Sequence, residues 1–282
     1  MDGYNLTNAS TDLEWNLVTV SYNSAAVLQK HWASFRPSPT VRWTVVDNNS
    51  SDDSVQIARS LGAHVIELTR NVGFGAANNI GARSVASQRV GFLNPDVELH
   101  DESLRMLSAL LTSAPGIVVA PQLLDEDGTP QPSGRGLPSL LSKILNRLPS
   151  AGRRSYQILA AEGEQVLVSW VIGAAVLMNS ATFEKILWDE RFFIYYEDSD
   201  FGLRAWRAGH AVVVDGSVRW VHAWARETTG VNLKAWKREL PSMFKFYTRY
   251  PSLLLPSQLA ARFYPEQRHF GKMLSSSGIV ER

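Results

Sequence analysis

The chain has no cysteine in 282 residues, which excludes disulfides, thiolate metal sites and a cysteine nucleophile, and fits a reducing compartment. It has almost no net charge. With 28 Lys and Arg against 27 Asp and Glu, the formal balance of +1 is too small for nucleic-acid binding by bulk electrostatics. No apolar run approaches the ~18 residues that span a bilayer. Residues 1–11 are polar and carry Asp2 where a secretion signal has a basic run. These absences predict a cytoplasmic chain, at most peripheral on the inner face of the plasma membrane. What is present is ordinary: 45% apolar and 20% charged residues, enough for one large α/β domain or two small ones.

The first half alternates two kinds of segment. Residues 17–22, 41–46, 63–68 and 90–93 read as buried strands, and 25–35, 52–61 and 73–87 between them read as helices. This alternation implies βαβ units and a parallel sheet, in which ligands bind beyond the carboxyl ends of the strands. Asp47 and Asp96 stand at two such ends. The second half is less regular. Gly, Pro, Ser and Asp punctuate 125–138, 149–154 is a similar break, and 166–178 is an apolar strand region interrupted by Gly173. From residue 233 onward, Trp236, Leu240, Phe244 and Tyr247 recur at roughly helical spacing, and Pro241 is expected to kink or restart the helix.

Chemistry concentrates in Phe192-Phe193-Ile194-Tyr195-Tyr196-Glu197-Asp198-Ser199-Asp200. Three acids in four positions follow an aromatic and apolar run, and buried carboxylates are costly unless paired, hydrogen-bonded or bound to a cation. An acidic helix N-terminus explains one of them but not three. Asp47-Asn48-Asn49-Ser50-Ser51-Asp52 sets a carboxylate at a strand end, before polar turn formers, where it suits a ribose or a base. An EF-hand reading fails, because Asp52 and Ala58 stand where that loop needs Gly and Glu. A plain turn with Ser51 or Asp52 capping the next helix explains part of the run. Asn71-Val72-Gly73-Phe74-Gly75 enters a helix whose amides suit phosphate, but Asn78 replaces the third glycine of a dinucleotide fingerprint. Asn94-Pro95-Asp96 offers one carboxylate, and a hard divalent cation that also holds phosphates needs only one or two. His222 is either a packing histidine or a further ligand.

In this order, Val45-Val46-Asp47-Asn48-Asn49-Ser50-Ser51-Asp52, Asn71 to Gly75 with Asn78-Asn79, Leu93-Asn94-Pro95-Asp96, Arg135-Gly136-Leu137-Pro138-Ser139, Gly173-Ala174 and the acidic motif resemble the inverting glycosyltransferase family 2. Arg204, Gly209 and His222 follow at family-like spacings, and the rhamnosyltransferase-like group is the nearest within it. The resemblance runs from about residue 18 to 229. It implies the GT-A fold, an α/β domain with a Rossmann-like, mostly parallel sheet flanked by helices, here with a C-terminal helical extension. It also implies a metal-dependent inverting transferase. A sugar, with L-rhamnose from dTDP-rhamnose favoured, would pass from a nucleoside diphosphate to a hydroxyl of a glycan or polyprenyl-diphosphate-linked glycan in cell-envelope polysaccharide synthesis. At the matching positions Asp198 corresponds to the general base. Asp47, Asn49, Asn71, Gly73, Asn78, Asn94 and Asp96 fall to the donor nucleotide, with Asn94 in place of the family's first aspartate. Asp96 and His222 fall to a Mg2+ or Mn2+ ion, and Glu197, Asp200, Trp170 and Gly173 to the acceptor.

The implied organisation is a polar tail at 1–14, a catalytic domain at 15–230 and a helical extension at 231–282. Residues 234–264 mix Lys234, Lys237, Arg238, Lys245, Arg249 and Arg262 with Trp236, Phe244, Phe246 and Leu253-Leu254-Leu255. That composition suits a membrane surface, packing on the catalytic domain or a homodimer interface alike. Trp170, Tyr195 and Trp224 offer faces for sugar rings. Competing readings are a UDP-sugar-dependent transferase of the same family, a nucleotidyltransferase and a non-catalytic nucleotide-sugar-binding scaffold. A nucleotidyltransferase needs a Gly-rich basic loop after the first strand, where Ser21-Tyr22-Asn23-Ser24 stands; the set Asp96, Asp198 and His222 argues against a scaffold.

Overall fold

Three apolar runs of the first half become strands buried on both faces, as a parallel sheet covered by helices requires, whereas the run expected as a buried strand at 63–68 forms an edge strand with its residues partly or fully exposed. A computed structural model describes residues 13–146, 156–223, 233–275 and 278–280. The break at 149–154, Trp224 and the side chains of Lys234, Trp236 and Lys237 lie outside the described residues. Strands β1 (Trp15–Ser21), β2 (Val41–Asp47), β3 (His64–Glu67) and β4 (Arg89–Leu93) pair in parallel in the order β3-β2-β1-β4. Helices α1 (Ala25–Trp32), α2 (Ser54–Ser60) and α3 (Phe74–Arg83) connect them. Asp52 ties two helix starts together, one oxygen accepting from the N–H of Ala25 at 3.1 Å and the other from that of Ser54 at 3.1 Å. The capping role expected in this run therefore falls to Asp52.

Beyond β4 the sheet becomes mixed. β5 (Val97–Glu98) and α4 (Asp101–Ser113) lead to β6 (Val118–Leu124), and β11 (Ala175–Asn179) lies between β4 and β6, antiparallel to both. The long β12 (Val212–His222) runs parallel to β6 and antiparallel to β9 (Gln165–Val168) and β5. A small second sheet joins β7 (Gly134–Arg135), β8 (Gln157–Ile158) and β10 (Trp170–Val171). The apolar region at 166–178 is thus three strands, with Gly173 in the turn between the last two.

The acidic motif opens the helix Glu197–Arg207, and the extension begins as the helix Leu233–Arg249. Pro241 does not restart that helix. Its missing N–H removes one intrahelical bond, and the packed turns that follow hold the helix together. Phe246, Tyr247, Tyr250 and Leu253 form a second apolar core with Phe192, Tyr196 and Leu203, next to the motif. This face of the extension packs on the main domain, as one of the three readings of its composition anticipated. Elsewhere the same helix exposes Leu240 and Phe244, the latter 74% accessible. The extension also ends in strand rather than helix, because β13 (Met273–Ser275) pairs with β9 and β14 (Gly278–Val280) with β13. Among the described residues no helix is long and apolar enough to cross a membrane.

Candidate active site

Parallel pairing brings the carboxyl ends of β1 and β2 together, with Ser21 opposite Asp47. Asp47 is buried, and its Oδ2 accepts from the N–H of Ser50 at 2.9 Å. Its Oδ1 and the hydroxyl of Ser21 are buried without a hydrogen-bond partner among the described residues. Unsatisfied buried acceptors are rare and mark places where a ligand or water completes the set. Asn49 is exposed with a φ of 67°, so it shapes the turn. Its neighbour Asn48 was not singled out by the sequence, yet it is buried and stitches two loops together. Asn48 accepts from the N–H of Val72 at 2.8 Å and donates to the carbonyl of Gly73 at 3.3 Å.

The loop before α3 is held by Asn71, whose Oδ1 accepts from the N–H of Gly73 at 3.0 Å. Gly73 has a φ of 91°, and a Cβ there would lie 2.6 Å from the carbonyl oxygen of Phe193. Only glycine permits both the left-handed backbone and that approach. The N–H of Phe74 then donates to the same carbonyl at 2.9 Å, which seats the loop on the lead-in to the acidic motif. Asn78 is buried in α3, and its side-chain N–H group has no hydrogen-bond partner among the described residues.

Asn94 and Asp96 follow β4. The N–H of Asn94 donates to the carbonyl of Ala174 at 2.8 Å, and the N–H of Ala223 donates to that of Asp96 at 3.0 Å. The pairing of β5 with the end of β12 sets His222 opposite Val97 and so beside Asp96, with Nε2 3.4 Å from Oδ1 of Asp96. Gln131 fixes the ring. Its amide nitrogen donates to Asp125 at 2.6 Å and to the carbonyl of His222 at 2.9 Å, which leaves its oxygen 2.8 Å from Nδ1. Nδ1 must therefore carry the proton, and Nε2 turns its lone pair toward Asp96, an arrangement common around metal-bound histidines.

The motif helix starts under strain. Tyr195 and Tyr196 have φ angles of 67° and 69°, two successive left-handed aromatic residues. Such backbone costs on the order of 1–3 kcal/mol per residue and persists only where its surroundings impose it. Nothing in the sequence signalled it. Its result is that Glu197 and Asp198 face the site together. Burial, reinforced by the neighbouring Asp198 carboxylate, pushes Glu197 up to about 8. Burial also raises Asp198, against the opposing charge of Lys143, two hydrogen bonds from Ser199 and the charge of Arg135. A Cβ built on Gly173 would lie 3.4 Å from the Phe74 ring and 3.9 Å from the Cβ of Asp198. Gly173 is therefore where the loop before α3 meets the motif.

Two expected acceptor residues belong to the frame instead. Asp200 is fully buried with both oxygens engaged: Arg204 reaches Oδ2 at 2.6 Å, while Tyr250 at 2.7 Å and Arg249 at 3.1 Å reach Oδ1. Trp170 is buried and donates to the carbonyl of Gly136 at 2.9 Å, so its ring is no open platform. Asn48, Ser21, Gln131 and Lys143 are the residues the sequence missed, because each acts on a partner from 24 to 91 positions away or through pairing no local pattern reveals.

The chain is thus an α/β protein of GT-A architecture, with a mostly parallel sheet whose strand ends present carboxylates to a carboxylate-bearing helix start. A model of glycosyl transferase family 2 matches residues 17–164, and the chain belongs to that family of enzymes. It is 26% identical over 209 residues to a low-salt glycan biosynthesis hexosyltransferase of Haloferax volcanii, covering 71% of this chain and 65% of that one. It is 27% identical over 238 residues to an N-acetylglucosaminyl-diphospho-decaprenol L-rhamnosyltransferase of Mycobacterium tuberculosis, covering 75% and 76%. A Pyrobaculum calidifontis mannosyltransferase, solved in complex with GDP-Man and Mn2+, superposes with a TM-score of 0.58 at 15% identity, over 90% of this chain and 68% of that one. The chain therefore spans just under two thirds of the length of the Haloferax relative.

Proposed function

We propose that this chain is a metal-dependent inverting glycosyltransferase that moves a hexose from a nucleoside diphosphate to a hydroxyl of a glycan or lipid-linked glycan. One observation carries the reading. A Cβ built on Gly173 would lie 3.9 Å from that of Asp198, and its neighbour Ala174 accepts from the N–H of Asn94 at 2.8 Å, which supports a single cleft between the helix-start carboxylate and the turn that carries Asp96. In this reading Ser21, Asp47 and the loop at Asn71 and Gly73 hold the nucleotide, and the residue at 78 supports that wall. Asn94 shapes the turn that aims Asp96.

The unpartnered Oδ1 of Asp96, facing the lone pair of His222, fits a hard divalent cation. No group of three or more His, Asp or Glu able to hold a metal occurs among the described residues. Two protein ligands are enough when diphosphate oxygens and water complete the shell. Mg2+ or Mn2+ held there would stabilise the charge that develops on the departing diphosphate. The chain's own part is proton transfer and positioning. Asp198 accepts the proton of the acceptor hydroxyl as that oxygen attacks the anomeric carbon, and the bond to the diphosphate breaks on the opposite face. A positioned base of this kind contributes about 10²–10⁴ in rate. Glu197, whose proton affinity is raised by burial and by the neighbouring Asp198, is a donor available to the acceptor.

The rhamnosyltransferase named among the relatives favours dTDP-rhamnose and an envelope acceptor on a polyprenyl diphosphate. The exposed Leu240 and Phe244 with Lys245 support contact with a membrane surface carrying that acceptor. A thermal-shift screen of dTDP-rhamnose and UDP-sugars, each with and without Mn2+, tests the donor. Ligand at a hundredfold excess over its Kd stabilises by about 2.7 kcal/mol. The expected result is a rise with dTDP-rhamnose that needs Mn2+. A rise with UDP-sugars alone reassigns the donor, and none with any nucleotide sugar overturns the reading.

A further inference from the structure

Lys143 reaches the site from α5 (Leu140–Asn146). Its ammonium lies 3.7 Å from the ring centroid of Tyr196, 5.0 Å from that of Trp170 and 5.7 Å from that of Phe246. Aromatic faces attract a cation, and more so where water is excluded. These three faces come from the acidic motif, β10 and the extension helix, so the cage exists only when all three are assembled. Within it, Lys143 donates to the hydroxyl of Ser199 at 3.1 Å. That hydroxyl donates to Oδ1 of Asp198 at 3.2 Å, and the N–H of Ser199 reaches the same oxygen at 2.6 Å. Oδ2 of Asp198 accepts no hydrogen bond among the described residues.

We infer that Lys143 is a positioning residue for Asp198: acting through Ser199, it locks Oδ1, leaves Oδ2 to take the acceptor's proton, and sets its positive charge beside the carboxylate. The inference deepens the proposed function and rests on Asp198 as the base. Lys143 is the strongest of the influences that oppose the burial of Asp198. Among the described residues, Glu197 on the same helix, Tyr196 against the ammonium and Arg135 on β7 also face this turn, and the charge of Arg135 acts on both Tyr156 and Asp198. One turn further lie Asp200, Arg204, Tyr250 and Arg249, which engage one another. The charge of Lys143 is thus the one that the relay delivers to Asp198.

The test is the pH profile of kcat/KM for Lys143→Met, Lys143→Arg and Ser199→Ala, together with 13C carboxyl NMR titration of Asp198, its resonance assigned with Asp198→Asn. Removing a nearby opposite charge raises a carboxyl pKa by about 1 unit or more. Lys143→Met is expected to move the acidic limb and the NMR titration up by about one pH unit, losing roughly tenfold low on the acidic limb and recovering on the alkaline plateau. Lys143→Arg keeps the limb in place, and Ser199→Ala moves it part of the way with donor KM unchanged. A uniform loss at every pH in Lys143→Met, with the NMR midpoint unmoved, reduces Lys143 to packing and overturns the inference. If Asp198→Asn keeps full turnover, the base assignment fails, while the NMR titration still decides whether Lys143 governs the Asp198 proton.

Discussion

Two regions of the molecule handle carboxylates in opposite ways. At the strand ends, Asp47 and Asp96 each keep a buried oxygen without a hydrogen-bond partner among the described residues, and the groups around them are fixed by backbone pairing. At the helix start, Asp200 has both oxygens engaged and Asp198 has one, held by a helix packed on from the extension. The strand ends are built to receive a ligand, with capacity left open where charge will arrive. The helix start is built to keep one atom still, and spends most of its hydrogen bonds on doing so.

The sharpest break of the comparison is Asp198→Asn. It removes proton acceptance while keeping shape, so turnover should fall by about 10²–10⁴ with nucleotide binding and circular dichroism unchanged. Loss of nucleotide binding instead would mean that the two regions are not separable.

Glu197→Gln comes next and concerns stability. Because the folded state holds Glu197 protonated up to about 8, against an ordinary value of 4.5, folding takes up a proton between those limits. Stability from this group is complete below about pH 4.5 and is lost as pH rises through 8. Glutamine cannot ionise, so the variant should equal wild type near pH 4.5 and exceed it by on the order of 3 kcal/mol near pH 8.5. Urea denaturation at several pH values measures the gap; a gap constant with pH would show that Glu197 is ionised when folded.

On the strand-end side, Gln131→Met removes the acceptor that sets the His222 tautomer. Partners of this kind are worth about 10–100-fold in metal affinity. Calorimetric titration of Mn2+ in the presence of a nucleoside diphosphate should show that loss, and unchanged affinity would remove His222 from the cation's neighbours.

The two regions also differ in how far the sequence reveals them. Strands β1 to β4 were legible to within about two residues because each is a short stretch with apolar or β-branched residues at its centre, bounded by turn formers. Asp47 and Asp96 were legible for the same reason, since a strand end is a local feature. The helix start was legible as composition only. The cage around Lys143 and the capture of Asp200 by Tyr250 join chain segments 27 to 103 positions apart, and no local pattern signals the left-handed Tyr195 and Tyr196. Short strands such as β7, β8 and β10, two residues each, carry no periodicity at all. Asp200 shows the consequence: a third acid in a row read as chemistry, and its partners make it structure.

Tyr250→Phe gives the smallest effect and the closest test of that last point. The hydroxyl of Tyr250 donates to Oδ1 of Asp200 at 2.7 Å, and burial together with the Asp200 charge raises its proton affinity, so it remains a donor at any working pH. Phenylalanine keeps the packing against Phe246 and deletes only that donor. Arg249, 3.1 Å from the same oxygen, still satisfies it in part, so the cost should be about 1–2 kcal/mol rather than that of an abandoned buried charge. If the extension's role is to hold the motif still, kcat should also fall a few-fold while the donor's KM and Mn2+ affinity stay constant. A change in donor affinity instead would mean that the extension reaches the strand ends as well, and that the division between a receptive region and a rigid one is drawn in the wrong place.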